Sequence, residues 1–289
     1  KVNYCINSIS GIEGLSPTLD IISKTENLLL ANKESIICGW NLIENKLKKY
    51  KTNFIPIDSE HFSIWKMLNS DDINDVQKIV LTASGGPFLN QLNRNIANVK
   101  PRMALKHPTW KMGKKISIDS STMMNKVFEY LEAKKIFNLQ NKKLSILIHP
   151  TSYVHALIFY KGGTIKFLAH ESKMSIPISN ALNIYDRYYK NPIKNHLSQL
   201  NKLKFIEPTK RKFPLLSILS MIPERSSYFE TILITLNDNL VYKYLNNKIN
   251  YLSIYKNLLN LIKSPYFIKF YKLKPKNIYD IKKMIKLTN

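Results

Sequence analysis

Three regions with different periodicities predict an α/β chain in three parts. Residues 1–57 alternate short apolar runs with amphipathic stretches, in the order strand, helix, strand, helix, strand, which is the pattern of a parallel sheet. Residues 144–168 hold three apolar runs parted by turn signals, which reads as a sheet with antiparallel neighbours. Residues 213–287 keep a helical spacing of apolar side chains. The expected boundaries are 1–57, 58–187, a linker at 188–205, and a helical unit at 206–289.

In chain order, 2–9 is a strand and Gly11 and Gly14 lie in a loop. Ser16-Pro17 opens a helix that runs to residue 24, since proline suits the first helical turn. A short strand at 27–30 ends in Ala31-Asn32-Lys33-Glu34-Ser35, an amphipathic helix covers 36–50, and a third strand covers 54–57. This resembles the C-terminal half of a Rossmann-like, doubly wound sheet; the half in which a G-x-G-x-x-G type turn would follow the first strand is expected to be absent. The chain opens at Lys1 inside a strand-like run, so it reads as a fragment or a processed product.

The third strand runs into Asp58-Ser59-Glu60-His61. In an extended segment, residues two apart face one way. Asp58 and Glu60 then present two carboxylates at the end of a strand, where open α/β sheets place ligands and where a hard divalent cation finds oxygen donors. The same residues also read as an acidic turn capping the next helix. A strand at 78–82 is followed by Ser84-Gly85-Gly86-Pro87-Phe88, either a backbone cradle for an anion or a simple turn. Residues 84–114 form a long connection carrying His107, an exposed-type Trp110 and Met112, of the kind that makes lids.

A short strand is expected at 115–118, then a helix opened by Asp119 and Ser120. On that helix Asn125 and Glu129 are four apart and Lys126 and Glu129 three apart, so each pair shares a face. Met123, Met124, Phe128 and Leu131 supply the buried side. A plain surface helix with caps, one ion pair and a core stripe reads the same way. Strands at 144–148 and 154–160 flank His149-Pro150-Thr151-Ser152, and Gly162-Gly163 turns the chain into a hairpin partner at 164–168. His149 and His155, each a single histidine, suit structural roles as readily as functional ones.

The 289 residues carry a formal charge of +24, yet only five of the 44 basic residues are arginine. Nineteen Lys or Arg stand against five Asp or Glu from residue 188 onward. Base-reading surfaces favour arginine for bidentate contacts, and no nucleic-acid motif is present. The charge therefore reads as a lysine-filled surface that binds polyanions without specificity and helps draw in a phosphorylated substrate. Cys5 and Cys38 make no disulfide framework or metal spacing, which suits a reducing, cytoplasmic compartment. No apolar run reaches the ~18 residues of a membrane span, and no signal peptide is visible.

Taken together, the runs LLLANKES, IPIDSEH, LTASGGPF, HPTWKMGKKISIDSSTMMNK with the following Glu129, EAKKIF and IHPTSYVHA closely resemble the 1-deoxy-D-xylulose 5-phosphate reductoisomerase family, in that family's order. From Tyr188 onward the likeness is loose, around Leu236-Asn237-Asp238. The resemblance implies an NADPH-dependent enzyme that converts 1-deoxy-D-xylulose 5-phosphate to 2-C-methyl-D-erythritol 4-phosphate in non-mevalonate isoprenoid synthesis. It implies Asp58, Glu60 and Glu129 as ligands for Mg²⁺ or Mn²⁺, with Co²⁺ a further candidate. Lys126 joins these three as a catalytic-site residue. Ser59, Ser84, His107, Trp110, Ser120, Asn125, Lys126, Ser152 and His155 are implied for substrate, with Met174 in the pocket wall. Asn32, Lys33, Glu34, Met112 and Gly113 are implied for NADPH, and a homodimer is implied as the assembly. Val127 stands where the family has glycine, Ser172-Lys173 where it has Pro-Asp, and Ile184-Tyr185 where it has Trp-Pro. Two other functions fit the residues themselves: a non-catalytic basic binding protein on the same fold, and a metal-dependent phosphate-ester hydrolase. Asn32-Lys33-Glu34 favours a cofactor enzyme over the hydrolase, and the carboxylate and phosphate sets speak against a purely basic binder.

Overall fold

A computed structural model describes residues 1–69, 71–91, 99–184 and 193–289. The first sheet is wholly parallel, in the order β1 (Val2–Asn7), β2, β3. Helix α1 (Leu15–Ile21) leads to β2 (Thr25–Leu30), and α2 (Lys33–Tyr50) leads to β3 (Asn53–Pro56). The alternation anticipated for residues 1–57 is therefore observed. Helix α2 begins a turn earlier than its apolar pattern indicates, because Asn32 caps it: its side chain accepts from the Ser35 N–H at 2.6 Å. Lys33 and Glu34 thus lie in a first helical turn, not in a loop.

Helix α3 (Ser59–Leu68) follows at once, and the extended reading of 58–60 fails here. Asp58 is the N-cap and accepts from the Ser59 N–H, while Glu60 lies in the first turn. An aspartate before an apolar helical run caps rather than continues the strand, since its carboxylate satisfies an orphan N–H. Both carboxylates nevertheless face the same cleft.

The second sheet is mixed, in the order β5 (Leu144–Ile148), β4 (Val76–Ala83), β6 (Val154–Tyr160), β7 (Ile165–Ala169). Its centre is β4 (Val76–Ala83), which is followed by the short α4 (Pro101–Ala104), α5 (Lys114–Ser121) and α6 (Met124–Ile136). Strand β5 (Leu144–Ile148) runs parallel to β4, whereas β6 (Val154–Tyr160) and β7 (Ile165–Ala169) are antiparallel to their neighbours. Gly163, at φ 81°, closes the β6–β7 hairpin. Helices α7 (Ser175–Ala181) and α8 (Ile193–Leu200) come next, so the expected linker contains a helix; its residues 188–192 lie outside the described residues, as do Arg94, Tyr185 and Arg187. The C-terminal part is helical as expected: α9 (Phe229–Leu245), α10 (Tyr251–Ile262), α11 (Pro265–Ile268) and α12 (Ile278–Thr288). Among the described residues no helix is long and apolar enough to cross a membrane.

The strand expected at 115–118 is a helix instead, and Asp119 and Ser120 sit inside α5 rather than capping α6. Ile116 and Ile118 alternate with polar residues as a strand would. The helix wins through contacts that alternation does not report. Ser117 Oγ donates to the Gly113 carbonyl at 3.0 Å, and Lys115 meets Asp119 one turn on at 3.1 Å. The entry to α6 is Met123, held at φ 65°. Met123, Met124, Phe128 and Leu131 are buried as anticipated.

The largest core cluster runs from Leu15 to Met284, so both sheets and the C-terminal helices share apolar packing. Helix α6 lies within it and is buried on nearly every side, its Lys126, Glu129, Glu132 and Lys134 included. Charges so placed need partners close by. A second charged cluster ties α9 to α2 and α5: Lys115 Nζ lies 3.1 Å from each of Glu34, Asp119 and Asp238. Asn237 Nδ2 donates to Asp119 Oδ1 at 2.7 Å, and both residues are at most 1% exposed. Replacing Asn237 with Ala leaves that buried oxygen short of a donor. The expected cost is about 1–3 kcal/mol, read as a lower urea midpoint with an unchanged slope; an unchanged midpoint would mean that the Asp119 oxygen does not depend on this amide.

Candidate functional site

The cleft of about 260 Å³ lies between the C-terminal ends of β3 and β4 and the N-terminal part of α6. Asp58 comes from the cap of α3, Glu60 from its first turn, and Glu129 from the second turn of α6. One oxygen from each lies within 4.8 Å of the others. Nothing local in the chain explains this convergence; it follows from packing α3 against α6, where His61 Nε2 donates to the Glu129 carbonyl at 2.9 Å. Two ammonium groups reach the same carboxylates. Lys126 Nζ donates to Glu60 at 2.6 Å and also pairs with Glu129, while Lys33 Nζ pairs with Asp58 and lies 3.5 Å from Glu129. Asn125 Nδ2 donates to Glu129, so the face shared by residues 125, 126 and 129 is as anticipated.

The electrostatics follow the burial. Burial works to raise the Asp58 pKa, but Lys33 and His61 outweigh it and hold the carboxyl well below the usual range. Glu60 is also lowered, since Lys126 overcomes the effects of burial and of Asp58. Glu129 goes the other way, up to about 7, because burial and the Glu60 charge exceed the pull of Lys126 and Lys33. A set of carboxylates this close, one of them reluctant to ionise, is poised for more positive charge.

The turn after β4 builds the opposite wall. Gly85 and Gly86 have φ of 83° and 66°, a region that other residues rarely adopt. A Cβ on Gly86 would also lie 3.0 Å from the Ser120 carbonyl, so only glycine lets this turn rest on α5. Ser84 Oγ accepts from the Gly86 N–H at 3.1 Å and lies 3.0 Å from His107 Nε2. The His107 Nδ1 lone pair accepts from the Thr109 and Trp110 N–H groups at 3.2 and 2.9 Å. Nε2 is therefore the protonated nitrogen of the neutral ring, and it donates to Ser84. The Ser84 hydroxyl proton is left to point into the cleft. Burial and the Lys126 charge push His107 down to about 4, which keeps the ring neutral.

Every substrate-side residue anticipated from the sequence lines this cleft: Ser59, Ser84, His107, Trp110, Ser120, Asn125, Lys126, Ser152 and His155, with Met174. Trp110 is half-buried, not exposed, and stands edge-on to His155 at 6.2 Å. Of the cofactor-side residues, Lys33 and Met112 line the same cleft, while Asn32, Lys33, Glu34 and Gly113 line an adjoining one of about 320 Å³. His149 is not in the cleft; it bonds the Lys204 carbonyl and Thr151. Sequence reasoning passed over His61 and Glu132, which lie beside the cleft carboxylates. His61 and Glu132 lie inside the recognised runs IPIDSEH and EAKKIF, but their signal is burial, which spacing alone does not reveal.

Fold and cleft together define an α/β protein with an acidic, metal-type cleft at the strand ends. Residues 1–39 match the 1-deoxy-D-xylulose 5-phosphate reductoisomerase description, and residues 54–137 and 170–288 match C-terminal domains of the same reductoisomerase. A relative of that name from Pelagibacter ubique is 50% identical over 285 residues, covering 98% of this chain and 73% of its own length. One from Wolbachia of Drosophila simulans is 44% identical over 257 residues, covering 88% of this chain and 66% of its own. A DOX-P reductoisomerase structure in complex with NADPH, fosmidomycin and magnesium superimposes with a TM-score of 0.88 at 31% identity, over 99% of this chain and 74% of the other. The Zymomonas mobilis enzyme in complex with NADPH gives 0.85 at 28% identity, over 99% and 72%. The chain belongs to the 1-deoxy-D-xylulose 5-phosphate reductoisomerase family.

Two cleft histidines set a pH dependence of stability. Burial, and then His170, push His155 down to about 3, and His107 falls to about 4 from an ordinary 6.5. Between those values the unfolded chain binds more protons than the folded one, so stability is fully present above 6.5 and is lost as pH falls. His61, raised to about 9 by Glu132 and Asp58 against the effect of burial, acts the other way, but only above about 6.5. Glu129, raised to about 7, and Asp238, raised to about 6, act against the histidines in the same window, so the His155 contribution is read by difference. In thermal unfolding from about pH 7 to 4, His155→Gln should lose less stability, or gain more, than wild type as pH falls; identical slopes would mean that His155 takes up no extra proton on unfolding.

Proposed function

We propose that the cleft performs the reaction of its family: metal-assisted rearrangement of 1-deoxy-D-xylulose 5-phosphate, then reduction with NADPH to 2-C-methyl-D-erythritol 4-phosphate, a step of non-mevalonate isoprenoid biosynthesis. The observation that carries this reading is the meeting of Glu129 with Asp58 and Glu60. Three carboxylates each offering an oxygen fit a hard divalent cation. A cation bound there supplies Lewis acidity toward a ketone and its neighbouring hydroxyl. The relatives' structures contain magnesium, and we extend the site to Mn²⁺ and Co²⁺, since an all-oxygen set discriminates weakly among them.

In this reading the chain's own groups divide the remaining work. The Ser84 hydroxyl, Ser120, Asn125 and Lys126 receive the phosphate, with His107 orienting Ser84. A phosphate dianion offers Lys126 the same charge-assisted bonds that Glu60 now provides. Ser59, Ser152 and His155 line the sugar-chain end of the cleft, and Trp110 closes over it to exclude water. Asn32, Lys33, Glu34, Met112 and Gly113 receive NADPH in the adjoining cavity, which shares Lys33 and Asn125 with the first and so brings hydride donor and substrate side by side.

We assign residues 1–57 to the dinucleotide-binding part, 58–187 to the catalytic part, 188–205 to a connection and 206–289 to a helical part, because the two sheets fall on either side of residue 57. We assign a homodimer, for which exposed Ile165 and Phe167 on the edge strand β7 offer an apolar face. We assign the cytoplasm, which suits the free thiols of Cys5 and Cys38. The basic-binder and hydrolase readings have no support from the relatives, and the reading requires neither nucleic acid nor membrane.

Glu129→Gln keeps shape and removes a charge. Calorimetric titration should show Mn²⁺ affinity falling about 10-fold or more; equal affinities in the two proteins would remove Glu129 from the ligand set. Lys126→Ala should raise the KM for phosphorylated substrate by about 10- to 100-fold, with a smaller fall in kcat. An unchanged KM would place the phosphate elsewhere.

A further inference from the structure

Glu132 takes no part in the scheme above, yet it is buried beside it. It lies one helical turn after Glu129 on α6 and is 2% exposed. Its Oε2 has no hydrogen-bond partner, although two cations approach it: Lys33 Nζ at 3.5 Å and His61 Nδ1 at 3.9 Å. An ionisable oxygen placed so deep without a hydrogen bond is costly unless another state of the molecule supplies one.

Lys33 supplies the link. Its ammonium pairs with Asp58 and lies 3.5 Å from Glu129, in the gap between two of the three oxygens that would hold a divalent cation. An ammonium there uses the lone pairs that a cation needs at about 2.0–2.6 Å. Two positive charges cannot share the gap, since they repel strongly at so short a distance in a protein interior. The vacant acceptor on Glu132 is the closest alternative, and a shift of about 0.7 Å from its present 3.5 Å would complete a hydrogen bond there. The charges agree. Asp58, Glu60, Glu129 and Glu132 against Lys33 and Lys126 leave a formal −2. Counting His61 as charged leaves −1, so the group is still short of positive charge.

We infer that Glu132 is a positioning residue: it is the seat to which Lys33 withdraws when a divalent cation takes Asp58, Glu60 and Glu129. The inference rests on the metal-site reading given above. Glu132 touches neither cation nor substrate; it acts by removing a competitor from Asp58 and by holding Lys33 at the boundary between the two cavities.

A double-mutant cycle read by Mn²⁺ calorimetry tests this. Glu132→Gln alone should weaken Mn²⁺ binding about 10-fold, because Lys33 stays on Asp58. In a Lys33→Met background, where no competitor remains, the same change should alter affinity by no more than about twofold. An equal loss in both backgrounds would overturn the inference, since it would show that Glu132 acts through its charge or its packing alone. A stoichiometry of two, with the second site lost in Glu132→Gln, would also overturn it, in favour of a second cation held by Asp58, His61 and Glu132. Wild-type protein that binds no Mn²⁺ would instead sink the metal-site reading itself. Should Glu132→Gln fail to fold, a wild-type structure with Mn²⁺ decides. Lys33 Nζ should then lie within hydrogen-bond distance of Glu132 and clear of Asp58; a retained Lys33–Asp58 pair beside the bound cation overturns the proposal.

Discussion

Four carboxylates meet in one buried cluster, and the architecture around the cleft serves to make that tolerable. Like charges at this spacing in a poorly polarisable interior raise one another's pKa or drive one another apart. Here the backbone cannot let them separate, because α6 is packed on nearly all sides. Compensation comes from side chains of separate elements: Lys33 from α2, Lys126 from α6 itself and His61 from α3. The parallel sheet brings α2 and α3 to the same edge, and the mixed sheet holds α6 against them. Each layer of the fold thus contributes a charge of one sign or the other to a single point.

That arrangement also separates what the sequence reveals from what it conceals. The parallel sheet is legible because each strand is a short apolar run followed by an amphipathic helix, and these periods differ. The hairpin is legible because Gly162-Gly163 marks a tight turn. Residues 114–121 are not legible. Ile116 and Ile118 alternate convincingly, whereas the contacts that make them helical include Asp119 bonding Asn237, a partner 118 positions away. Local pattern cannot weigh a buried bond to a distant helix.

The candidate site divides in the same way. Asp58, Glu60 and Glu129 are readable as donors, and their run-by-run likeness to the family brings them together. Their local geometry is not readable, because a carboxylate that caps a helix and one that ends a strand look alike in one dimension. Glu132 and His61 stand in the same recognised runs, but their significance is entirely one of depth. A glutamate three positions after another glutamate is ordinary on a solvated helix; it becomes informative only when both prove to be inaccessible to water.

The hub at Lys115 carries a consequence for how this chain can change over generations. One ammonium serves Glu34 beside the adjoining cavity, Asp119 in α5 and Asp238 in α9, each at 3.1 Å. Losing the lysine alone would strand three acids, whereas losing one acid still leaves two carboxylates for one ammonium. Drift at Lys115 is therefore conditional on all three acids. Positions 34, 115, 119 and 238 should be inherited as a block, so that a helix near the C-terminus and a residue near the first sheet share an evolutionary history despite their separation along the chain.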